Sequence, residues 1–497
     1  MNKNPLRRLP CVLVTGLLFI ALTMFMVILI NTKIVPSKFL LIIGGLFLLL
    51  TLCVFLLTWD TRRLKSLMFG CFIMILVLVV LMIGTRYLSR AVNTLDSITT
   101  VDVEIAEVGI YVRQDDPATD LSDLHDYRFG IMESLDRDNT DKALAELKNE
   151  LGADLDVSEY PGLTELADAI LTNNSVDVLV FNSAYMDVLS EMDGYTDISE
   201  QLRQLHVQTV ETKIESVKKP EKDSWSILDS LSGEEEEIKS NAFAMYISGI
   251  DSRSGLISKS RSDVNILAVI NPDSRQILLV STPRDFYVPL PISNGVPDKL
   301  THAGIYGVDV SIGTLEMLYG IDIDYYFRVN FSGFEKIIDA LDGITVYSDV
   351  AFTALDKHYI REGENHLYGE AALAFSRERY AFAEGDRKRG ENQMKVIKAV
   401  LEKAMSPTLL TNYADIMASV SGSFETSMPY DKIAELVRNQ LDNGGSWNIV
   451  STSVNGTGDY RVPYSMSSEA YVMIPDQATV DAAKAKIHQV VVGEFVQ

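Results

Sequence analysis

A short basic stretch, FSRERYAFAEGDRKRGENQ at residues 375–393, combines side chains that are able to bind an anion. It contains five cations, an aspartate and a glutamine: Arg377, Arg379, Arg387, Lys388, Arg389, Asp386 and Gln393. Guanidinium groups match pairs of phosphate oxygens, and a helix start adds backbone donors. The stretch therefore predicts a phosphate or diphosphate site. The alternative is a solvated cluster in which the cations pair with Glu378, Glu384, Asp386 and Glu391.

A strand, a turn and a helix would bring these side chains together. Alternate side chains of a strand share a face, so Arg377 and Arg379 should point the same way. Gly385 and Gly390 predict the turn, and the helix should run to about residue 405. Residues three or four apart share a helix face, and the inward face carries Arg389, Gln393, Ile397, Val400 and Ala404. The opposite, solvated face carries Lys388, Lys395, Lys398 and Glu402.

A second constellation combines two aspartates with two arginines. Asp251 follows the predicted strand AFAMYISGI, and Asp263 begins the strand with VNILAVI, so the carboxylates can meet at a sheet edge. Arg261 shares a face with Asp263. Two carboxylates with few other ligands suit a hydrated Mg²⁺ ion that also binds phosphate. The alternatives are turn or cap hydrogen bonds for the aspartates and, for Arg284 in STPRD, an ion pair with Asp285.

Five segments, in this order, resemble one known family: SGIDSRSG, RSDVNILAVINP, STPRDFYVPLP, THAGIYG and FSRERYAFAEGDRKRGENQ. Together they are similar to the LytR-CpsA-Psr (LCP) family, over about residues 241–405. Three N-terminal spans and an inserted α/β domain resemble its streptococcal capsule branch, the CpsA/Wzg type. The resemblance implies an α/β/α domain with a mixed central sheet and an apolar groove for a polyprenyl pyrophosphate. Candidate groove residues, which ordinary core packing would explain equally well, are Phe327, Val329, Phe334, Ile337 and Ile338.

The resemblance also implies roles for individual residues. Asp251 and Asp263 match Mg²⁺ ligands, and Arg284 and Asp386 match further active-site positions. The pyrophosphate-binding positions correspond to Arg261, Arg377, Arg379, Arg389 and Gln393.

The reaction implied is Mg²⁺-dependent transfer of a capsular polysaccharide from polyprenyl pyrophosphate to peptidoglycan, which forms a phosphodiester. A metal-bound carboxylate or Asp386 could serve as the base, and lipid pyrophosphatase activity could accompany transfer. Capsule polymerase or regulatory kinase components are further candidate partners. The alternative is a non-catalytic lipid-diphosphate-binding regulator of capsule synthesis.

The N-terminal ninety residues differ from the rest in charge and hydropathy. Residues 1–90 carry ten Lys and Arg against one acid, or +9, which leaves −33 for residues 91–497 given the total of −24. Three apolar runs are each long enough, or nearly so, to cross a hydrocarbon core of about 30 Å: Leu9–Ile30, Phe39–Trp59 and Leu67–Ile83. Residues 1–90 are therefore predicted to be a membrane anchor.

Pattern and composition divide the remainder into an accessory α/β domain with a linker at 91–240, an LCP catalytic domain at 241–420, and an extension at 421–497 that packs on it. Within 91–240 we expect a spacer to residue 104, strands at 103–112, 127–132 and 176–181, helices at 139–151 and 163–171, and a linker or a peripheral excursion at 193–240. This segment contains no chemical constellation, so packing or partner docking is its predicted role.

Local signals also predict details of the catalytic domain. The turn NPDSR at 271–275 should join two strands, and Gly320 should end a helix that contains Leu315 and Leu318. Ser332 and Glu335 form a predicted capping box for the helix FEKIIDAL, with Gly343 as its C-cap. A further helix is expected at 431–441.

Composition excludes several classes of function. The three cysteines all lie in the apolar runs, so the acidic part has neither a disulfide nor a thiolate metal site. The six histidines show no zinc spacing. A strongly acidic domain repels the phosphate backbone, so nucleic acid is excluded as a partner.

We predict that the chain after about Arg90 is extracytoplasmic. Lys and Arg are concentrated before the first span and between the second and third, whereas the first loop holds only Lys33 and Lys38. Arg86 and Arg90 count mildly against this orientation. Protease treatment of intact wall-less cells should digest the acidic part. Protection of that part, together with cleavage in the loop at 60–66, would show the opposite orientation.

Overall fold

The computed structural model describes residues 9–59, 64–99, 103–213, 240–250, 259–383, 385–406, 420 and 423–497. The chain forms two compact units. The first comprises residues 1–100, 405–421 and 428–446, and the second comprises 101–404, 422–427 and 447–497.

Three apolar helices dominate the first unit: α1 (Leu9–Asn31), α2 (Ser37–Trp59) and α3 (Leu64–Thr99). Each contains a segment of at least 21 residues that is long and apolar enough to cross a membrane. The three predicted spans are confirmed as helices. The spacer predicted from residue 91 is wrong as far as Thr99, because no Gly or Pro after Gly84 interrupts the hydrogen bonds of α3.

A helix from much later in the chain, Tyr430–Asn443, also belongs to this unit, and we call it α13 in chain order. Its ends bind the connection between α1 and α2. Asp431 lies 2.8 Å from Lys33 Nζ, and Asp442 lies 2.8 Å from Lys38 Nζ. Tyr430 Oη donates to the carbonyl of Thr32 at 2.7 Å. A chain that crosses a membrane three times places these two segments on the same side.

The second unit begins with a five-stranded sheet and its helices, residues 103–213, which we call the accessory domain. The strands lie in the order β3-β2-β4-β1-β5; β2 is parallel to β3 and β4, and β1 is antiparallel to β4 and β5. Their bounds are Val103–Arg113, Arg128–Met132, Asp156–Tyr160, Val178–Asn182 and Leu202–Lys213 for β1–β5. The helices are Arg137–Leu151, Leu163–Leu171, Ala184–Ser190 and Ile198–Gln201 for α4–α7.

The predicted α/β character of this segment is confirmed, but the linker prediction from residue 193 is wrong as far as Lys213. The strand β5 was hidden by its charged composition. It is an edge strand in which buried Leu202 and Val210 are separated by a mixed segment that contains half-buried Leu205 and exposed Val207. Residues 214–239 lie outside the described part of the chain.

A six-stranded mixed sheet forms the centre of the main domain, as we call the rest of the second unit. Its order is β16-β11-β6-β7-β8-β17. The bounds are Phe243–Ile250, Ser262–Asn271, Gln276–Thr282, Tyr325–Asn330, Phe424–Thr426 and Asn448–Ser453 for β6, β7, β8, β11, β16 and β17. The β7–β8 hairpin confirms the predicted turn, where Arg275 has a positive φ of 54°. The strands β16 and β17 come from the predicted C-terminal extension, which is therefore built into the sheet.

Short strands and helices complete the main domain. The strands are Tyr287–Pro289, Pro297–Lys299, Ile344–Ser348, Phe352–Ala354, His358–Ile360, Gly363–Leu367, Gly456–Arg461 and Ala470–Pro475 for β9, β10, β12–β15, β18 and β19. The helices are Leu300–Tyr306, Val308–Tyr319, Phe331–Ala340, Gly369–Arg377, Asp386–Ala404 and Gln477–Val491 for α8–α12 and α14.

Two hydrophobic cores organise the main domain. One core contains Tyr246, Leu267, Val280, Leu315 and Ile487, which join the strands to α9 and α14. Another lies among α10, α11, α12 and the β12–β15 strands. Burying one large aliphatic side chain contributes about 1.5–3 kcal/mol, so these cores fix the sheet whose strand ends carry the site.

The structure tests two predictions about the ends of helices, one for the end of α9 and one for the caps of α10. Gly320 ends α9 as expected, with a φ of 69°. The capping box predicted at Ser332 and Glu335 is wrong: α10 begins two residues earlier, and the Asn330 side chain accepts from Gly333 N at 2.8 Å. The C-cap is Leu341, and Gly343 then donates to the carbonyl of Ile338.

The strand predicted at the start of the basic stretch is also wrong. Arg377 is the last residue of α11, and Glu378 is extended. Gly385, with a φ of 53°, precedes α12, so the predicted turn is confirmed there. Gly390 lies inside α12.

A buried ion pair between neighbouring strands predicts a pH dependence of stability. Arg328 lies opposite Glu425 in the β11–β16 register, and its Nη1 is 3.4 Å from carboxylate oxygens of both Glu425 and Glu104. Burial raises the pKa of Glu425 to about 7, and the nearby charge of Arg328 opposes this rise without cancelling it.

We expect the free energy of unfolding to fall as pH rises from about 5 to about 8, because the folded state keeps a proton that the unfolded carboxyl has already released. Glu425→Gln should remove this pH dependence. The total fall in the free energy of unfolding over this pH range is at most about 3 kcal/mol. Calorimetry of the full chain in detergent at several pH values measures it. The exposed Glu402→Gln is the control, and equal slopes in the two variants would contradict the prediction.

Candidate functional site

A pocket in the main domain opens where β7 and α12 begin and where β8 and β17 end. Four of the residues predicted for the site line it: Asp263, Arg284, Arg389 and Gln393. The remaining lining residues are Ser281, Thr282, Pro283, Arg387, Gly390, Ser453, Val454, Asn455 and Met473. Residues far apart in the sequence thus meet at one end of the sheet, although the spacing arguments had predicted only that Arg389 and Gln393 would share a face.

Asp263 and Arg284 form an ion pair in the wall of the pocket. Arg284 Nη1 donates to Asp263 Oδ1 at 2.8 Å, and Thr301 Oγ1 lies 3.4 Å from the same oxygen. Burial alone would raise the pKa of Asp263, but the charges of Arg284, Arg261 and Arg389 lower it below the ordinary value. Asp263 is therefore an ionised oxygen donor that is a weak proton acceptor.

The helix α12 supplies the cationic wall of the pocket. Arg389 N–H donates to the carbonyl of Gly385 at 3.2 Å, so the amides before it belong to the helix start, where no intrahelical acceptor exists. Arg389 and Gln393 lie one turn apart and face the same pocket, as predicted. Arg387, which was part of the basic stretch but was assigned no role, joins them. Together these side chains and the helix start make an anion-binding surface.

The buried face of α12 is rotated relative to the prediction. Its most buried residues include Asn392, Val396 and Ala399, whereas Ile397 and Val400 are half-buried. Lys388 and Lys395 are not simply solvated, because both pair with Asp349, at 2.9 and 2.7 Å. Lys398 and Glu402 are exposed, as predicted.

Arg377 and Arg379 do not line this pocket. The guanidinium of Arg377 stacks 4.2 Å from the ring centroid of Phe331. That of Arg379 lies over Tyr380 at 4.7 Å and donates to its hydroxyl. The expected shared face does not exist, because Arg377 ends a helix and Arg379 follows an extended residue.

Arg261 is directed to the accessory domain. Its Nη1 donates to Glu191 at 2.6 Å, and its Nη2 donates to Asp187 at 3.1 Å. Lys299, which has only 4% of its side chain exposed, also binds Glu191 at 2.6 Å. Sequence reasoning missed Asp187, Glu191 and Lys299, since the acids lie about 70 positions before Arg261 and follow no recognisable motif.

The candidate groove residues include true core side chains. Ile338 is fully buried, and Phe334 packs against the same core. Phe327 stacks on Phe424 with their ring centroids 4.9 Å apart. Core packing therefore accounts for Ile338 and Phe334, whereas Phe327, Val329 and Ile337 are half-buried.

The predicted Mg²⁺ site is described only in part. Asp251 lies outside the described residues, as does the side chain of Asp386, although Asp386 begins α12. The described residues contain no group of three or more His, Cys, Asp or Glu that could hold a metal ion. Asp263 fits a hard cation, because it is an ionised oxygen donor at the pocket wall.

Comparison with known proteins assigns the sequence to a family. The LytR_cpsA_psr family model matches residues 203–489. A relative from Bacillus cereus (strain ATCC 14579), named polyisoprenyl-teichoic acid–peptidoglycan teichoic acid transferase TagU, is 36% identical over 213 residues, which are 42% of this chain and 69% of the relative. A protein of the same name from Enterococcus faecalis (strain V583) is 33% identical over 218 residues, or 44% of this chain and 71% of the relative.

Solved structures also resemble the chain. The crystal structure of B. subtilis TagV has a TM-score of 0.44 and 27% identity, with 52% of this chain and all of that chain covered. TagT bound to LI-WTA has a TM-score of 0.41 and 26% identity, with 52% of this chain and 94% of that chain covered.

If the pocket binds a diphosphate, Arg389→Ala should weaken the binding of polyprenyl diphosphate at least about tenfold. One charge-assisted hydrogen bond contributes about 1.5–3 kcal/mol. Lys398→Ala is the control with the same change of charge, on the exposed face of the same helix. Its effect should be small and should disappear with added salt. Binding to vesicles that contain the lipid measures both, and equal losses would contradict a specific site.

Proposed function

Because the chain belongs to the LytR-CpsA-Psr family, we propose that it transfers a glycopolymer from a polyprenyl diphosphate carrier to peptidoglycan. The observation that supports this function best is the pocket at the start of α12, which is lined by Arg284, Arg387 and Arg389 together with ionised Asp263. The names of the relatives from Bacillus cereus and Enterococcus faecalis describe a transfer of this kind.

The proposed reaction is the displacement of a lipid phosphate. A hydroxyl oxygen of peptidoglycan attacks the phosphorus that carries the polymer, and the bond from that phosphorus to the bridging oxygen breaks. The products are a phosphodiester, a lipid monophosphate and a proton that a base accepts. Negative charge develops on the bridging oxygen, and arginines positioned beforehand stabilise it. Gln393 adds an uncharged donor, which orients the phosphate without adding charge.

The base is either Asp386 or a metal-bound carboxylate. The three arginines that lower the pKa of Asp263 also make it a poor proton acceptor. This favours a binding role for Asp263 and leaves Asp386, on the first turn of α12, and Asp251 as the candidate bases.

Mg²⁺ is the proposed cofactor, with Asp263 and Asp251 as its protein ligands. When bound, it would neutralise phosphate charge and polarise a phosphoryl oxygen. Asp263 already pairs with Arg284, so it orients this guanidinium as well.

The proposed donor is a capsular polysaccharide on polyprenyl diphosphate, and the proposed orientation is extracytoplasmic. The three apolar helices followed by an accessory domain support this choice over the teichoic acid that the relatives' names give.

A transfer assay with the full chain in vesicles, lipid-linked polymer and peptidoglycan tests the function. Covalently linked polymer is the expected product. Binding of the lipid diphosphate without transfer, or release of phosphate alone, would point to a regulator or a pyrophosphatase.

We expect Asp263→Asn to abolish Mg²⁺-dependent transfer, because it removes a charged ligand and the partner of Arg284. Titrating Mg²⁺ against the transfer rate measures this effect, and Asp349→Asn is a control that removes a carboxylate outside the pocket. Wild-type rates in Asp263→Asn at every Mg²⁺ concentration would exclude this residue from the mechanism.

A further inference from the structure

One carboxylate of the accessory domain lies where three cations of the main domain converge. Glu191 follows α6 and lies 2.6 Å from Arg261 Nη1, 2.6 Å from Lys299 Nζ and 3.9 Å from Arg284 Nη2. Asp187, on α6, binds Arg261 Nη2 at 3.1 Å. Of these three cations Arg284 lines the pocket, so the accessory domain places a carboxylate behind one wall of it.

The contact with the accessory domain is part of a shared hydrophobic core. Leu163, Tyr185 and Leu189 of the accessory domain pack in one cluster with Ile305 and Met466 of the main domain. Leu189, two residues before Glu191, is fully buried in this cluster. A carboxylate fixed by such packing is a permanent part of the site, because separating it from Arg261 would expose the core to water.

The charges of the cluster explain why the main domain needs these acids. Within the main domain, Arg261, Arg284 and Lys299 face Asp263 and Asp285, and these five groups together carry one positive charge in excess. Buried charges are stable only when they are paired. Burial would raise the pKa of Glu191, but Lys299 and Arg261 lower it to about 2, so Glu191 stays ionised at every physiological pH.

The direction of the contacts decides which donors of Arg261 remain for a ligand. The two carboxylates take the terminal nitrogens Nη1 and Nη2. The Nε atom is buried and has no hydrogen-bond partner among the described residues. A guanidinium has five donors in a fixed fork, so binding its end leaves its Nε side for another oxygen. Arg261 is close enough to Asp263 to influence the charge of that carboxyl.

We propose that Glu191, together with Asp187, is a positioning residue: it holds the end of Arg261 so that the Nε side of the guanidinium binds the diphosphate. This role rests on the proposed function. The accessory domain then completes the anion site of the main domain. The three cations are kept extended and ordered before the lipid arrives, so binding does not have to order them.

A double-mutant cycle with the full chain in vesicles tests this role, with binding of polyprenyl diphosphate and the transfer rate as readouts. Glu191→Gln should weaken binding about tenfold, the change that corresponds to one charge-assisted hydrogen bond. The same substitution in an Arg261→Ala background should cause a clearly smaller further loss, because the part of its effect that passes through Arg261 is already absent there. The exposed Glu200→Gln is the matched control and should behave as wild type.

Asp187→Asn provides a second variant in case Glu191→Gln does not fold. Asp187 has 53% of its side chain exposed and binds only Arg261 among these cations. Asp187→Asn should weaken lipid binding less than Glu191→Gln does, and this effect should be absent in the Arg261→Ala background. Equal losses with and without Arg261 would show a structural role and overturn the proposal, as would tighter binding by Glu191→Gln, which would make Glu191 a competitor of the ligand.

The wild-type result separates this proposal from the function on which it rests. If wild type binds the lipid and Glu191→Gln equals Glu200→Gln, positioning by Glu191 is wrong and the proposed function stands. If wild type neither binds the lipid nor transfers polymer, both are wrong.

Discussion

Buried guanidinium charge is the constraint on which this structure depends. A site for a diphosphate needs several arginines close together and shielded from water, yet such a cluster is unstable without counter-charges. The main domain meets this need with Asp263, which begins β7 and pairs with Arg284. It places Arg389 at the start of α12, where the Asn392–Ala399 face anchors the helix on the core. The remaining positive charge is balanced from outside, by Glu191.

This constraint also gives a reason for the way in which the accessory domain docks. The carboxyl ends of parallel strands are the edge at which α/β sheets usually bind ligands. The parallel strand β4 ends at this edge, and α6 follows it with Asp187 and Glu191. In this protein the main domain packs against that edge, because Tyr185 of the accessory domain shares a hydrophobic core with Ile305 of the main domain. The accessory domain therefore uses a ligand-binding edge for a protein surface.

The sequence predicts those parts of the structure that depend on local periodicity. Long apolar runs predict β6, β7 and β8, and four-residue spacing predicts that Arg389 and Gln393 share a pocket. The position of Arg377 at the end of α11 could not be predicted in this way, because a short segment that ends in alternating charges is compatible with either a strand or the end of a helix. Contacts with other elements decide which face of α12 is buried. The sequence pattern of the helix is compatible with two faces that differ by one residue position. The partners of Arg261 depend on the docking of another domain, so no spacing near Arg261 reveals them.

The hydrophobic cluster shared by the two domains limits how this protein can be divided or recombined. A chain cut before β6 would leave Ile305, Met466 and Ala470 facing water, an apolar patch that favours aggregation. Exchange of the accessory domain between relatives would need matching changes on both sides, at the apolar contacts and at the acids that face Arg261. The two modules should therefore be inherited and diversify as one unit. Chimaeras that keep both halves from one parent are then the soluble ones.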